Sequence, residues 1–196
     1  MDRSDVKGLY FITPIANVPS IRKCGILSHN LSSKMPHQSI AMSEIQDKRK
    51  NKQVPGAGML HDYVNLYFDA HNPMLSKVRN MNDQICVLRV DKSVLDLPDV
   101  IIADRNAAKD YVRFYPTIDG LAGLDKKRVF AKYWTNARDQ YEAWDLRAVK
   151  CAEVLVPKRV EPKYILGAYV ANRTALESFK KLESNLLVEI KSDIFF

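Results

Sequence analysis

The sequence predicts an α+β fold, with a sheet built mainly from antiparallel pairs and helices beside it. Three observations predict it. Short β-branched and aromatic runs recur along the 196 residues. Helical segments do not separate those runs at regular intervals, as a parallel βαβ arrangement requires. Neither GxGxxG nor GxxxxGK[ST] occurs, so any nucleotide is held without a Rossmann or P-loop turn. The length suits one domain that can bury a core, and we expect that domain to span residues 1–196.

The elements follow in chain order. "GLYFITP" (8–14) reads as a strand stopped by Pro14. In "ANVPSIRKCGIL" (16–27), Asn17 is a candidate helix cap, Pro19 falls in the first turn and Gly25 ends the helix. "SHNLSSKMPHQ" (28–38) is polar and loop-like, and "SIAMSEIQDKRKNKQ" (39–53) is a partly helical segment that becomes a basic loop. "MLHDYVNLYFD" (59–69) contains a strand, and "HNPMLSKVRNM" (71–81) a turn leading into helix. "QICVLRVDKSVL" (84–95) is a strand with apolar residues on both faces, and "DVIIADRNAA" (99–108) a short strand entering a polar turn. "VFAKYWTNARDQYEAWDLRAVK" (129–150) mixes aromatic and charged residues, hence helix or ordered loop. "PKYILGAYVAN" (162–172) is a strand, and "TALESFKKLESN" (174–185) is an amphipathic helix with Leu176, Phe179 and Leu182 at helical spacing. "LLVEIKSDIFF" (186–196) closes with a strand.

Hydrophobic content of 46% and charged content of 27% are those of a water-soluble globular chain. No stretch reaches the ~18 apolar residues of a membrane span, and "MDRSDVKGLYFITP" lacks a signal-peptide apolar region. The three cysteines, Cys24, Cys86 and Cys151, form no CxxC pair or zinc-type cluster. We expect free thiols, no metal and a cytoplasmic location. The net charge of +7 gathers in "KRKNK" (48–52), "KKR" (126–128) and "KR" (158–159), which points to a polyanionic partner.

One carboxylate stands out. In "CAEVLVP" (151–157), Ala152, Val154 and Val156 share one strand face, whereas Glu153 shares the other with Cys151 and Leu155. Glu153 therefore either points into a cleft or lies solvated on an edge strand; charged side chains are seldom buried without a partner.

Several segments together resemble the DarT family. They are "LYFITPIANVPSIRKCGILSHN" (9–30), "SIAMSEIQDKRKNKQVPGAGMLHDYVNLYFDAHNPML" (39–75) and "KCAEVLVPK" (150–158), with "ADRNAAKDYVRFY" (103–115) in the family's order. "HDYVNLYFDAHNPML" is the specific match, to a DYVPFYF-like strand and a PML turn. The resemblance implies an ADP-ribosyltransferase-like split antiparallel β core with flanking helices. It also implies an enzyme that ADP-ribosylates a base, thymine or guanine, of single-stranded DNA, with NAD as co-substrate. A macrodomain antitoxin that removes the mark is the partner implied.

Carried over residue by residue, Glu153 falls on the family's catalytic glutamate and Arg49 on its second catalytic residue. Tyr67 falls on the aromatic of the NAD-binding core. Phe11, Thr13, Asn17 and Ser28 are further candidate NAD contacts. Lys48, Lys50 and Lys52 are candidates for DNA phosphates, and Trp134, Tyr141 and Trp144 for stacking on exposed bases. The chain departs from the family at Phe11, where a YHIT-like strand carries His, and at Asn106, where a DRH-like segment carries His. It departs again at His71, where a PRSPML-like turn carries Arg. The alternatives are an ADP-ribosyltransferase acting on RNA or protein, and a non-catalytic nucleic-acid-binding module.

Overall fold

The structure, a computed structural model, describes residues 1–115 and 118–196. In chain order its elements are β1 (Leu9–Pro14), α1 (Val18–Cys24), β2 (Ile26–Leu27), α2 (His29–Ser32), α3 (Ser43–Lys50), β3 (Tyr63–Tyr67), α4 (Pro73–Lys77), β4 (Ile85–Val90) and β5 (Ile101–Ala103). There follow β6 (Phe114–Tyr115), α5 (Lys126–Val129), α6 (Gln140–Lys150), β7 (Glu153–Pro157), β8 (Arg159–Val160), β9 (Ile165–Val170), α7 (Arg173–Lys180) and β10 (Val188–Ile190). Eight strands form one sheet in the order β10-β9-β4-β1-β3-β7-β5-β6, and β2 and β8 form a separate two-stranded ribbon. Every described pairing is antiparallel except β9 with β10. The predicted α+β class therefore holds, for the reason the irregular spacing of strands and helices gave.

Strand alternation distributes the apolar residues to two sides of the sheet. Leu88, Leu66, Val154 and Ile102 join Val18 and Ile21 of α1 and Phe179 of α7 in the largest core cluster. Their neighbours Val87 and Tyr67 pack in a second cluster with Leu75 and Cys151, and Leu155 and Ile101 in a third with Leu60 and Tyr63. In α7, Asn172 caps the helix by accepting from the amide of Ala175 at 3.0 Å, and Ala175 and Phe179 face the core.

The edge-strand alternative for Glu153 is corrected by the topology. β7 lies inside the sheet, between β3 and β5. Glu153 opposes Tyr67 on one side and Ala103 on the other. It is 0% exposed.

The β2–β8 ribbon and the two-residue β6 are absent from the sequence expectations. Runs of two residues carry no readable periodicity, so pairing decides them, across more than 130 positions for the ribbon and with β5 for β6. Gly25, between α1 and β2, has φ +84°, and a Cβ there would lie 2.2 Å from the carbonyl oxygen of Val160. Only glycine takes that conformation at so close an approach. Gly25→Ala is expected to destabilise the fold by about 2 kcal/mol or more, read as a lowered urea midpoint. An unchanged midpoint would show that the ribbon yields without loss.

Candidate functional site

Two helices and two strands converge on one carboxylate. β7 begins immediately after α6, with Ala152 donating its amide to Val149 O at 2.9 Å, so the helix-to-strand turn delivers Glu153 as the first strand residue. Lys150, buried at the end of α6, anchors that turn. Its Nζ donates to Asp69 Oδ2 at 2.5 Å and to Val129 O at 3.1 Å. From the opposite side α3 presents Met42, Ile45, Gln46 and Arg49 toward one cavity, the i, i+3/i+4 spacing of a single helix face.

Arg49 reaches Glu153 through three hydrogen bonds of 3.2 Å, from Nη1 to both carboxylate oxygens and from Nη2 to Oε2. The amide of Ala107 donates to Glu153 Oε1 at 3.3 Å. Both partners are buried, the guanidinium side chain 7% exposed and the carboxylate 0%. Burial pushes the Glu153 carboxyl above the ordinary carboxylate range, while Arg49 and the Ala107 amide pull it back only in part. Tyr67, opposite Glu153 in the sheet, has its phenol driven well above the usual range, first by burial and then by the Glu153 charge.

Arg49 also lines a cavity of about 460 Å³, large enough for a ligand of cofactor size. Phe11 and Thr13 of β1, Tyr67 of β3 and Asn17 before α1 stand in its wall. α6 closes the side facing α3 with Trp144, Arg147 and Ala148, again one helical face. The segment 35–42 covers the rim, and Asn17 ties it down. The Asn17 amide donates to Gln38 O at 2.8 Å and accepts from Gln38 N at 2.9 Å, and Nδ2 also meets Thr13 Oγ1 at 3.2 Å. Asn17 makes no side-chain cap bond to α1, so its polar atoms serve the rim segment.

The structure redistributes other candidates. Ser28 is buried and lies in a separate cavity with Asn30, Asp62 and Lys158. It caps the short α2 through its carbonyl, which accepts from Ser32 N at 2.8 Å; it is not brought to the Arg49 cavity. Trp134 is 8% exposed and packs on His71 and Phe196 at ring distances of 5.3 and 5.6 Å. That burial corrects its assignment as a stacking platform. Tyr141 and Trp144 are 78% and 46% exposed and meet edge to face at 5.7 Å on α6. Lys48 and Lys50 are exposed, whereas Lys52 is half-buried and donates to Lys109 O at 2.9 Å. His71 is structural, its Nδ1 at 2.9 Å from Ile194 O.

Two histidines were missed or undervalued. His29 and His61 both line the cavity with ring centroids 4.0 Å apart. No local pattern marks a lone His before a strand, so nothing in the residues signalled His61. Arg105 pairs with Asp104 at 3.0 Å and with Asp145 of α6 at 2.5 Å, and Asp145 also accepts from Arg128 at 2.5 Å. Among the described residues no group of three or more His, Cys, Asp or Glu is placed to hold a metal ion, and no helix is long and apolar enough to cross a membrane.

A sequence profile of the family described as "ssDNA thymidine ADP-ribosyltransferase, DarT" matches residues 10–196. A DNA ADP-ribosyl transferase of Thermus sp. is 33% identical over 163 residues, 76% of this chain and 74% of that protein. A DNA ADP-ribosyl transferase–DNA ADP-ribosyl glycohydrolase fusion protein of Thermosipho africanus is 31% identical over 198 residues. That alignment takes in 96% of this chain and 48% of the fusion, so the chain spans about half the fusion's length. Among solved structures, Thermus sp. 2.9 DarT in complex with ADP-ribosylated ssDNA superposes with a TM-score of 0.83 at 28% identity, over 98% and 97% of the two chains. The same protein in complex with NAD+ gives 0.77 at 25% identity, over 97% and 98%.

Two outcomes follow from the geometry. Arg49→Met leaves a buried carboxylate without its counter-charge, expected to cost about 3–5 kcal/mol near pH 8. A carboxyl whose folded pKa is raised loses stability as pH rises from its unfolded value near 4.5 through the folded value. The deficit should therefore shrink toward pH 5, and urea unfolding at both pH values checks it; a pH-independent deficit would refute this account. Asn17→Ala should speed hydrogen exchange at the Gln38 amide by about fivefold or more, and unchanged protection would show that the rim holds without it.

Proposed function

The chain belongs to the DarT family of single-stranded-DNA thymidine ADP-ribosyltransferases, and from that premise we propose that it transfers ADP-ribose from NAD to thymine in single-stranded DNA. The observation that carries this reading is the buried Arg49–Glu153 pair, whose guanidinium lines a cavity of cofactor size. Related proteins of this fold hold NAD+ and ADP-ribosylated ssDNA. We take residues 1–196 as one catalytic domain acting in the cytoplasm.

The chemistry follows from the charges. The bond between nicotinamide and ribose breaks, neutral nicotinamide leaves, and a ring nitrogen of thymine bonds to the ribose carbon while losing its proton. Positive charge grows on the ribose in the transition state. An ionised carboxylate that accepts a hydrogen bond from the ribose 2′-hydroxyl stabilises that charge where it peaks, and more strongly in a dry site than in water. Arg49 covers the fully buried carboxylate of Glu153. Seating NAD therefore requires the guanidinium to turn part of its donor fork from Glu153 to the ligand, to a diphosphate oxygen or a carbonyl of the base. Arg49 offers a planar fork of donors, so its role is to orient and polarise. Glu153, whose pKa burial raises, suits a group that exchanges a proton in the reaction.

Phe11 and Thr13 shape the NAD wall, and Tyr67 offers its ring to nicotinamide. Tyr141 and Trp144, exposed at the cavity mouth, are placed to stack on the bases flanking the target, worth about 1–3 kcal/mol each. Lys48 and Lys50 supply phosphate contacts and a salt-dependent affinity. A modified base in template DNA blocks copying, so this reading includes a toxin role and a partner that hydrolyses the mark, a macrodomain antitoxin. The glycohydrolase joined to the Thermosipho relative supports such a partner.

Incubation with NAD and single-stranded oligonucleotides, followed by mass spectrometry, tests the proposal. One ADP-ribose is expected on thymine-containing strands. Glu153→Ala should reduce it by at least a hundredfold, the loss expected for one electrostatic group of this kind. Modification of RNA or protein alone, or DNA binding without NAD consumption, would overturn it.

A further inference from the structure

His61 sits in the 3-10 turn before β3, and His29 at the start of α2 packs on that turn. Their rings lie 4.0 Å apart and tilted by only 31°. Both line the Arg49 cavity, at the end of β3 opposite Tyr67 and Glu153. His61 is 6% exposed, and its Nε2 is buried with no hydrogen-bond partner among the described residues. Such an atom forfeits about 1–3 kcal/mol unless a ligand or water meets it.

The ring is also neutral. Burial, then His29, then Arg49 push the His61 imidazole down to about 4, and burial lowers His29 as well. The surrounding wall is apolar: Ile26 and Leu27 on the His29 side, Leu60 and Tyr63 beside His61. A phosphate would be better served by the cations already present, Arg49 and Lys50. A neutral imidazole with an unpartnered ring nitrogen, walled in part by flat and branched side chains, suits a neutral heteroaromatic base.

We infer that His61 is a base-recognition residue, whose Nε2 hydrogen-bonds the edge of a base lodged at this end of the cavity while the stacked His29 ring fixes its plane. The inference rests on the activity proposed above. The base comes from one of two sources, the adenine of the dinucleotide or a nucleotide of the DNA strand. Neither source changes the chemistry of the contact.

Steady-state kinetics of His61→Phe and His61→Gln decide the matter. Phe keeps the ring and removes the nitrogen, whereas Gln returns an amide near the position of Nε2. We expect His61→Phe to raise one KM by roughly three- to tenfold, with kcat changed less than about twofold, and Gln to recover most of the loss. A rise in the KM for NAD assigns the contact to the dinucleotide; a rise in the KM for the oligonucleotide assigns it to DNA. No change in either KM, with the melting temperature retained, overturns the inference. If the wild-type protein modifies no DNA, or the Phe variant does not fold, the ¹⁵N shift of His61 Nε2 in the wild-type protein decides. Movement on titration with ADP-ribose or with oligonucleotide supports the subsite even though the proposed activity has failed. A shift that moves with neither overturns it.

Discussion

The contact between Arg49 and Glu153 is the constraint around which the rest of the molecule is arranged. Removing a carboxylate from water is expensive, and a buried ion pair recovers that expense only with good geometry and further hydrogen bonds. Here the guanidinium fork spans both carboxylate oxygens, and the Ala107 amide takes up one more lone pair. The carboxyl is nonetheless left with a raised pKa. Apolar residues of the same volume would hold this position more stably. A pair retained under such conditions is a feature of a site rather than of a scaffold.

The surrounding elements fix the two members of that pair separately. Glu153 is set by the α6–β7 turn, which the buried Lys150 ties to Asp69 and Val129, and by strands on both sides. Asp145, held between Arg105 and Arg128, fastens the middle of α6. Arg49 comes from the last turn of α3, where Lys48, Arg49 and Lys50 also complement the helix dipole. Only Arg49 of the three lies on the face that turns inward, so its neighbours remain on the surface with their charge available.

Arg49 and Tyr67 line the cavity, with Glu153 buried behind the guanidinium. Beyond the start of β3 stand two imidazoles whose pKa values burial and the Arg49 charge lower. Phe11 brings no polar group to the wall near β1, and the adjacent Asn17 amide is committed to the rim segment at Gln38. Among the polar groups of the wall, His61 is set apart by a buried imidazole nitrogen without a partner among the described residues.

By itself the sequence determined the α+β class and most element positions, and it drew attention to Arg49 and Glu153, which the fold brings together. Irregular alternation of strands and helices excluded a parallel fold. Pro14, Pro19 and Gly25 punctuate the chain through their own dihedral limits, and these act locally. The periodicity of "CAEVLVP" placed Glu153 opposite the core-facing valines, and the likeness of the flanking segments to one family singled out Arg49 within a run of similar cations. Tertiary structure alone decided what those residues meet. Whether Glu153 lay in a cleft or on a wet edge depended on β7 falling between β3 and β5. Burial of Trp134 against Phe196, diversion of the Asn17 amide to Gln38, separation of Ser28 from the cavity and the meeting of His29 with His61 are likewise contacts between distant positions. Local patterns encode which face a side chain takes, through the periods of helix and strand. The partner waiting on that face is set by how those elements pack, and no period in the chain records it.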